Sequence, residues 1–365
     1  MTSSDADNLW MRRALFLAER GLGRTTPNPV VGACVVTDEG VVVGQGAHER
    51  AGEAHAEVHA LNAAGARARG ATLYCTLEPC SHTGRTGPCT ERILAAGIRR
   101  VVAAVEDPDP RVMGRGFARL RENGVDVTVG VERHAAARLN APFFAAKSLN
   151  RPFVILKAAT SANGFIAAQP GVRTFLTSTP ANRRAQLVRA RVDAIAVGSG
   201  TLLADDPLLT SREIYRERPL TRVVFDRRLR TPPAARVFST LPAGPVIILT
   251  SPDTAASRPD AVNALENAGA RVVPVHDADL ATMVAALARF DVQSVLLEGG
   301  ADVHAAAWDA GIVDCVHLYV TPHAIGTGGV PLLEGKTFSI PSLIDMGVEA
   351  VGPDIVIEGY VHGLD

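Results

Sequence analysis

In both halves of this chain, short β-branched runs alternate with segments whose apolar residues recur at helical spacing. That pattern leaves little room for anything but layered α/β sheets. The first half predicts a helix over 7–20, a strand pair over 30–36 and 41–46 turned by Asp38-Glu39-Gly40, and a helix over 57–69. Strands over 71–76, 100–105 and 125–129 then alternate with helices over 88–96 and 114–123, and a short helix near 132–139 follows. The polar stretch Ser148-Leu149-Asn150-Arg151-Pro152 breaks the pattern, so the boundary is placed between domains 1–148 and 149–365.

The second half predicts strands over 153–159, 194–197, 222–226, 245–250, 271–275, 294–298, 315–320 and 355–361. Helices over 179–191, 260–268, 280–290 and 301–310 lie between them. No fixed repeat and no long apolar run interrupts this order.

The 37 basic residues nearly balance the 38 acidic ones, leaving a formal net charge of −1. That argues against a nucleic-acid partner. The opening segment carries acids and arginines through its helical pattern instead of an apolar signal core, so no membrane association and a cytoplasmic location are expected. Only three of the basic residues, Lys147, Lys157 and Lys336, are lysine; the arginine excess fits either base composition or repeated phosphate recognition.

Of five cysteines, only Cys75, Cys80 and Cys89 cluster, which points to metal or catalysis and not to a disulfide framework. His55 opens a helix, Cys80 follows a strand in Glu78-Pro79-Cys80, and Cys89 opens the next helix after Pro88. One imidazole and two thiolates fill three tetrahedral positions of Zn²⁺ and leave the fourth for water, whose pKa the metal lowers to about 7. Glu57, two residues beyond His55, is placed to carry that water's proton. Cys75 reads as a buried hydrophobe, and His59 as a packing or supporting residue. His82 and Arg85 lie in the loop between the two cysteines, where a substrate phosphate or solvent would suit them equally.

The spacing departs from the zinc-deaminase signature Pro-Cys-x-x-Cys, since eight residues separate Cys80 from Cys89. With that loop, HAEVHAL at 55–61 and TLEPCSHTGRTGPC at 76–89 resemble the bifunctional riboflavin-biosynthesis family, a pyrimidine deaminase fused to a reductase. The resemblance implies His55, Cys80 and Cys89 as zinc ligands and Glu57 as proton shuttle. TTPNPVVGACVV at 25–36 and EDPDPRVMGRGFARL at 106–120 are similar to segments that shape the family's deaminase pocket, with Asn28 and His48 facing base and ribose.

In the second half, glycine-rich turns follow two strands, at Gly198-Ser199-Gly200-Thr201 and Gly299-Gly300-Ala301. Such turns let backbone N–H groups approach a phosphate, although neither is a complete Rossmann fingerprint and tight-turn geometry alone accounts equally well for each. Arg227 and Arg228 follow a strand end, where guanidinium groups suit the 2′-phosphate of NADPH or simply face solvent. Lys157 sits in an apolar strand and needs a partner or a substrate group.

The family resemblance continues through LKAATSANGFIAA at 156–168, the run at 177–212 and LLEGGADVHAAAWDAGIVD at 296–314. It implies a cytidine-deaminase-like three-layer α/β domain followed by a dihydrofolate-reductase-like α/β domain. It also implies NADPH contacts at Ala159, Phe175, Thr201, Asp205, Arg227, Gly300, Ala301, Asp302, Val303, His304, Ala305 and Ala306. Arg173, Arg189, Leu209, Arg212 and Glu298 would hold the substrate phosphate. Two positions depart from the family: Asn163 stands where Asp is common, and Phe175 where Trp is frequent.

The reaction so implied is deamination of 2,5-diamino-6-(5-phosphoribosylamino)pyrimidin-4-one by zinc-activated hydroxide. NADPH then reduces the ribosyl chain of 5-amino-6-(5-phosphoribosylamino)uracil. The expected partners are small phosphorylated pyrimidines and a second copy of the chain, as homodimer or homotetramer. The alternatives are a deaminase of another nucleobase with one inactive half, or a zinc-stabilised structural or regulatory protein. Glu57 argues against the last, because structural zinc sites are closed by four protein ligands.

Overall fold

A computed structural model describes residues 3–82, 87–333 and 340–363. The chain divides after Leu149 into two compact units.

The first unit runs α1 (Ser3–Ala18), β1 (Gly32–Val36), β2 (Val42–Ala47), α2 (Ala56–Ala64), β3 (Thr72–Cys75), α3 (Cys89–Ala96), β4 (Arg100–Ala103), α4 (Arg115–Glu122), β5 (Asp126–Val129), α5 (Arg133–Leu139) and α6 (Ala141–Ser148). Its sheet has the order β2-β1-β3-β4-β5, antiparallel across β2-β1-β3 and parallel beyond. Alternate residues of a strand face opposite sides, and here each side takes a helix. A Cβ at Gly32 would lie 1.9 Å from Ala14 O of α1, whereas one at Gly44, on the other face, would lie 2.1 Å from Ala60 O of α2. Helix, sheet and helix thus form three layers.

Two details differ from the sequence expectation. The helix expected over 57–69 ends at Ala64 and continues as a 3-10 turn over Gly65–Ala68. Helix α6 was not anticipated, because Asn140 alone separates it from α5 and APFFAAKS has no polar face to mark a period.

The second unit runs β6 (Phe153–Thr160), β7 (Phe165–Ala167), α7 (Thr179–Arg191), β8 (Ala194–Gly198), α8 (Ser199–Asp205), β9 (Thr221–Phe225), β10 (Val246–Thr250), α9 (Pro252–Ser257), α10 (Pro259–Asn267), β11 (Ala270–Pro274), α11 (Leu280–Ala285), β12 (Ser294–Leu297), α12 (Ala301–Asp309), β13 (Cys315–Val320), β14 (Val330–Pro331), β15 (Ile344–Val351) and β16 (Asp354–Tyr360). Nine strands form one sheet in the order β11-β10-β9-β8-β12-β6-β13-β16-β15, parallel up to β13 and antiparallel at β16 and β15.

The central strands are buried on both faces, as their unbroken Val, Ile and Ala runs require. Leu156, Ala196 and Val223 pack with Met283 of α11 and Ala307 of α12, while Ile195, Val197 and Val224 pack with Val188 of α7 and Leu265 of α10. Helix α7 starts where expected, with the Ser178 hydroxyl accepting from Ala181 N and Pro180 in the first turn. The helix expected over 280–290 is α11 followed by a 3-10 turn over Ala286–Phe290.

Candidate active sites

Helix α2 lies flush on β2 because Gly44 and Gly46 present no side chain; a Cβ at Gly46 would lie 2.5 Å from Ala56 O and 2.4 Å from His59 Cβ. This contact aims the start of α2, His55-Ala56-Glu57, at the loop after β3 and at the first residue of α3. There His55 Nδ1 lies 3.2 Å from Cys89 Sγ and 3.5 Å from Cys80 Sγ, and Cys89 N donates to Cys80 Sγ at 3.4 Å.

Metal bonds of about 2.3 Å to sulfur and about 2.05 Å to nitrogen at the tetrahedral angle separate those atoms by about 3.6 Å, so the three donors fit Zn²⁺. Among the described residues this is the one group of three such donors whose ligand atoms all lie within 4.8 Å of one another. His59 is exposed and lies over Gly46, so it is no ligand; His82 is exposed, and Arg85 falls outside the described residues.

The electrostatics suit a cation. Hydrogen bonding to Cys89 lowers the Cys80 thiol, and the same bond together with burial raises Cys89. His55 is raised to about 8, chiefly by its bond to Cys80. Glu57 is buried beside them at 3 % exposure, and burial raises its carboxyl despite the nearby His55 charge. Cys75 is fully buried and its thiol is raised by burial, as a core residue should be.

Next to this centre, His48 Nδ1 faces Ala54 O at 3.1 Å and must donate to it. Its Nε2 therefore accepts from the Asn28 amide at 3.0 Å, and the His48 ring meets His55 edge-on at 5.4 Å. One residue escaped the sequence reading. The buried Glu78 carboxylate accepts from the backbone N–H groups of Asp107, Gly114, Gly116 and Phe117, and so ties the 107–117 segment to the turn that carries Cys80. Its signal was its place just before Pro79-Cys80.

In the second unit, a cavity of about 780 Å³ opens at the C-terminal ends of β8 and β9, against α11 and α12. Gly198, Ser199 and Gly200 line it, with Arg227, Arg228 and Arg230 on one side and Asp302, Val303 and Ala306 on another. Arg230 is held by the Ser199 hydroxyl at 2.8 Å. A dinucleotide fits this volume and chemistry: a basic rim for phosphate and small residues where the chain must approach closely.

Gly300, Ala301, His304 and Ala305 do not line that cavity. His304 points inward, is buried with Nε2 3.4 Å from Leu297 O, and is pushed down to about 4 by burial. Thr201 faces the same turn, its hydroxyl 3.0 Å from where a Cβ at Gly300 would be.

Next to the turn, Arg189 of α7 donates to both oxygens of Glu298, at 2.7 and 2.5 Å, and to Thr210 O at 2.9 Å. Lys157 on β6 lies 5.2 Å from the centre of the Tyr319 ring, and burial lowers its pKa while Glu298 partly restores it. This is the partner its burial required. Ala159 follows on the same strand. Asp205 ends α8 half-buried; burial raises its carboxyl and the charge of Arg173 opposes this. Arg173 stacks on Phe175 at 4.5 Å, and Phe175 is 82 % exposed. The Leu209 side chain is in the core, so only its main chain is presented to a ligand. The Arg212 side chain stays exposed.

Comparison with known proteins places both halves of the chain in one family. Residues 4–105 match the family model for the cytidine and deoxycytidylate deaminase zinc-binding region, and residues 152–357 match the RibD C-terminal domain. The chain is 41% identical over 356 residues to the riboflavin biosynthesis protein RibD of Bacillus amyloliquefaciens, covering 96% of this chain and 95% of that protein. It is 38% identical to RibD of Escherichia coli (strain K12), over 96% of this chain and 98% of that one. The solved structure of Acinetobacter baumannii RibD is similar at a TM-score of 0.85 and 32% identity, over 98% of this chain and 99% of that chain. The diaminohydroxyphosphoribosylaminopyrimidine deaminase/5-amino-6-(5-phosphoribosylamino)uracil reductase of Thermotoga maritima is similar at a TM-score of 0.85 and 31% identity, with the same coverage. The chain belongs to the RibD family of riboflavin-biosynthesis proteins, with a zinc-binding deaminase domain and an NADPH-using reductase domain in one polypeptide.

Proposed function

We propose that residues 1–148 deaminate 2,5-diamino-6-(5-phosphoribosylamino)pyrimidin-4-one and that residues 149–365 reduce the ribosyl chain of the deaminated product. The observation that carries this reading is the convergence of His55, Cys80 and Cys89 beside the buried Glu57 carboxyl. When bound by these three residues, zinc supplies a Lewis acid and an acidified water. Glu57 would carry one proton of that water to the ring nitrogen as the C–O bond forms, and then the second, from the hydroxyl on that carbon, to the amine as the C–N bond breaks. The Asn28 and His48 pair, fixed by Ala54 O, orients the base and ribose beside it.

In the second domain NADPH supplies hydride. Arg227 takes the 2′-phosphate at the cavity rim, and of the run Gly300 to Ala306 it is Asp302, Val303 and Ala306 that line the cavity, the others shaping the turn and helix that carry them. Asp205, with a carboxyl that burial has raised, exchanges a proton near the sugar. Arg173, Arg189, Leu209, Arg212 and Glu298 bind the phosphorylated substrate, and Lys157 faces it from β6.

Among the described residues no helix is long and apolar enough to cross a membrane. The near-zero net charge supports an enzyme without a nucleic-acid partner. The open edge strand β15 exposes Ile344, Met346 and Val348, which supports self-association as a homodimer or homotetramer.

The test uses two variants and two assays. Glu57→Gln loses ammonia release by at least about a hundredfold and still oxidises NADPH when given the deaminated substrate. Asp205→Asn does the reverse. If Asp205→Asn impairs deamination and spares reduction, the two-site assignment is wrong.

A further inference from the structure

The segment between α8 and β9, residues 206–220, carries Leu209 and Arg212 over the C-terminal half of α7. Three of its non-glycine residues, Asp206, Leu209 and Glu213, have positive φ of 40°, 53° and 64°. L residues rarely adopt such backbone, and it persists where surrounding contacts fix it. Arg189 of α7 already donates to Thr210 O of this segment, and two further residues tie it to α7.

The first is Gln186, a buried residue of α7. Its Oε1 accepts from Arg212 N at 2.8 Å, and its main-chain oxygen accepts from the Ser211 hydroxyl at 3.4 Å. The second is Arg216. Its Nη1 donates to Arg189 O and Val192 O, both at 2.7 Å, and its Nε to Arg218 O at 2.9 Å. A guanidinium among the last carbonyls of a helix also meets the negative end of the helix dipole.

These contacts matter because the charges nearby are unequal. Arg189 is already neutralised by two bonds to Glu298. Arg212 has no ion-pair or hydrogen-bond partner for its guanidinium among the described residues and acts on Glu298 only through its charge, so it stays open to an incoming anion.

We propose that Gln186 and Arg216 are positioning residues that clasp this segment onto α7 and hold Arg212 ready for the substrate's phosphate. The proposal rests on the reading above that the second domain binds a phosphorylated pyrimidine. Neither residue touches substrate; both act through the backbone of residues that do. The clasp therefore governs phosphate binding and leaves hydride transfer and the coenzyme cavity alone.

The experiment measures kcat and KM of the full-length enzyme with the deaminated 5′-phosphate substrate and with its dephosphorylated counterpart. NADPH dissociation constants are measured in parallel by fluorescence. Gln186→Met keeps the volume and removes the acceptor, and Arg216→Lys keeps the charge and loses the fork. Each variant is expected to raise KM for the phosphorylated substrate about tenfold, as loss of one buried hydrogen bond does. KM for the dephosphorylated compound, kcat and NADPH affinity should stay within about twofold of wild type.

Equal effects on both substrates, a fall in kcat at constant KM, or unchanged constants overturn the clasp. So does loss of NADPH binding in both variants, which means that the two residues hold up the whole fold. A wild-type enzyme that does not discriminate between the two substrates contradicts the phosphate reading itself.

Discussion

Arg189 and Glu298, 109 residues apart in sequence, meet through two parallel hydrogen bonds of 2.7 and 2.5 Å, both side chains nearly out of contact with water. Burial alone would raise the Glu298 carboxyl, but the Arg189 guanidinium outweighs it and holds the group at about 2. The pair joins α7 to the turn after β12, where the two candidate binding regions of the second domain meet.

A pH dependence follows from this pair. The folded value of Glu298 lies below the roughly 4.3 of an unfolded glutamate, so its stabilisation is complete above that value. It is lost as pH falls towards 2. Glu298→Gln should flatten the acid limb of the second domain's stability curve. It should also lower stability at neutral pH by about 3–5 kcal/mol, because Arg189 is left buried and unpaired. Denaturant titrations across that pH range check both effects, and an unaltered acid limb would remove the pair from the account.

Coenzyme choice should reside in the arginine rim of the 780 Å³ cavity. Arg227→Ala is expected to weaken NADPH about tenfold or more, the loss of a charge-assisted bond, and to leave NADH binding unchanged. Fluorescence titration with both nucleotides reads the ratio directly.

The flush seat of α2 on β2 sets where His55 and Glu57 point. Gly46→Val places new atoms against Ala56 O and His59 Cβ, an overpacking that costs about 1–3 kcal/mol or more. A lower melting temperature and reduced zinc content are expected together. Full zinc content in a destabilised variant would show that the metal centre does not depend on that contact.

Much of this architecture was legible in the sequence, for physical reasons that also mark where legibility ends. The core strands β8, β9, β10 and β12 are buried on both faces, so their apolar runs stand out against polar neighbours. Strand β15 did not, because it is exposed along nearly its whole length and IDMGVEAV has no alternation that burial would impose. The convergence of His55, Cys80 and Cys89 was legible because these residues belong to compact local motifs. The Arg189–Glu298 pair, the Lys157 stack on Tyr319 and the Glu78 cradle join distant segments, and only the assembled sheet brings those partners together.

Metal content measured alongside ammonia release from the diaminopyrimidine 5′-phosphate tests the proposed catalytic metal centre at His55, Cys80 and Cys89 most directly. Wild-type protein should carry one zinc per chain and release ammonia without NADPH, and Cys89→Ser should lose both while retaining NADPH binding. A Cys89→Ser protein that keeps its zinc and its ammonia release would contradict the account.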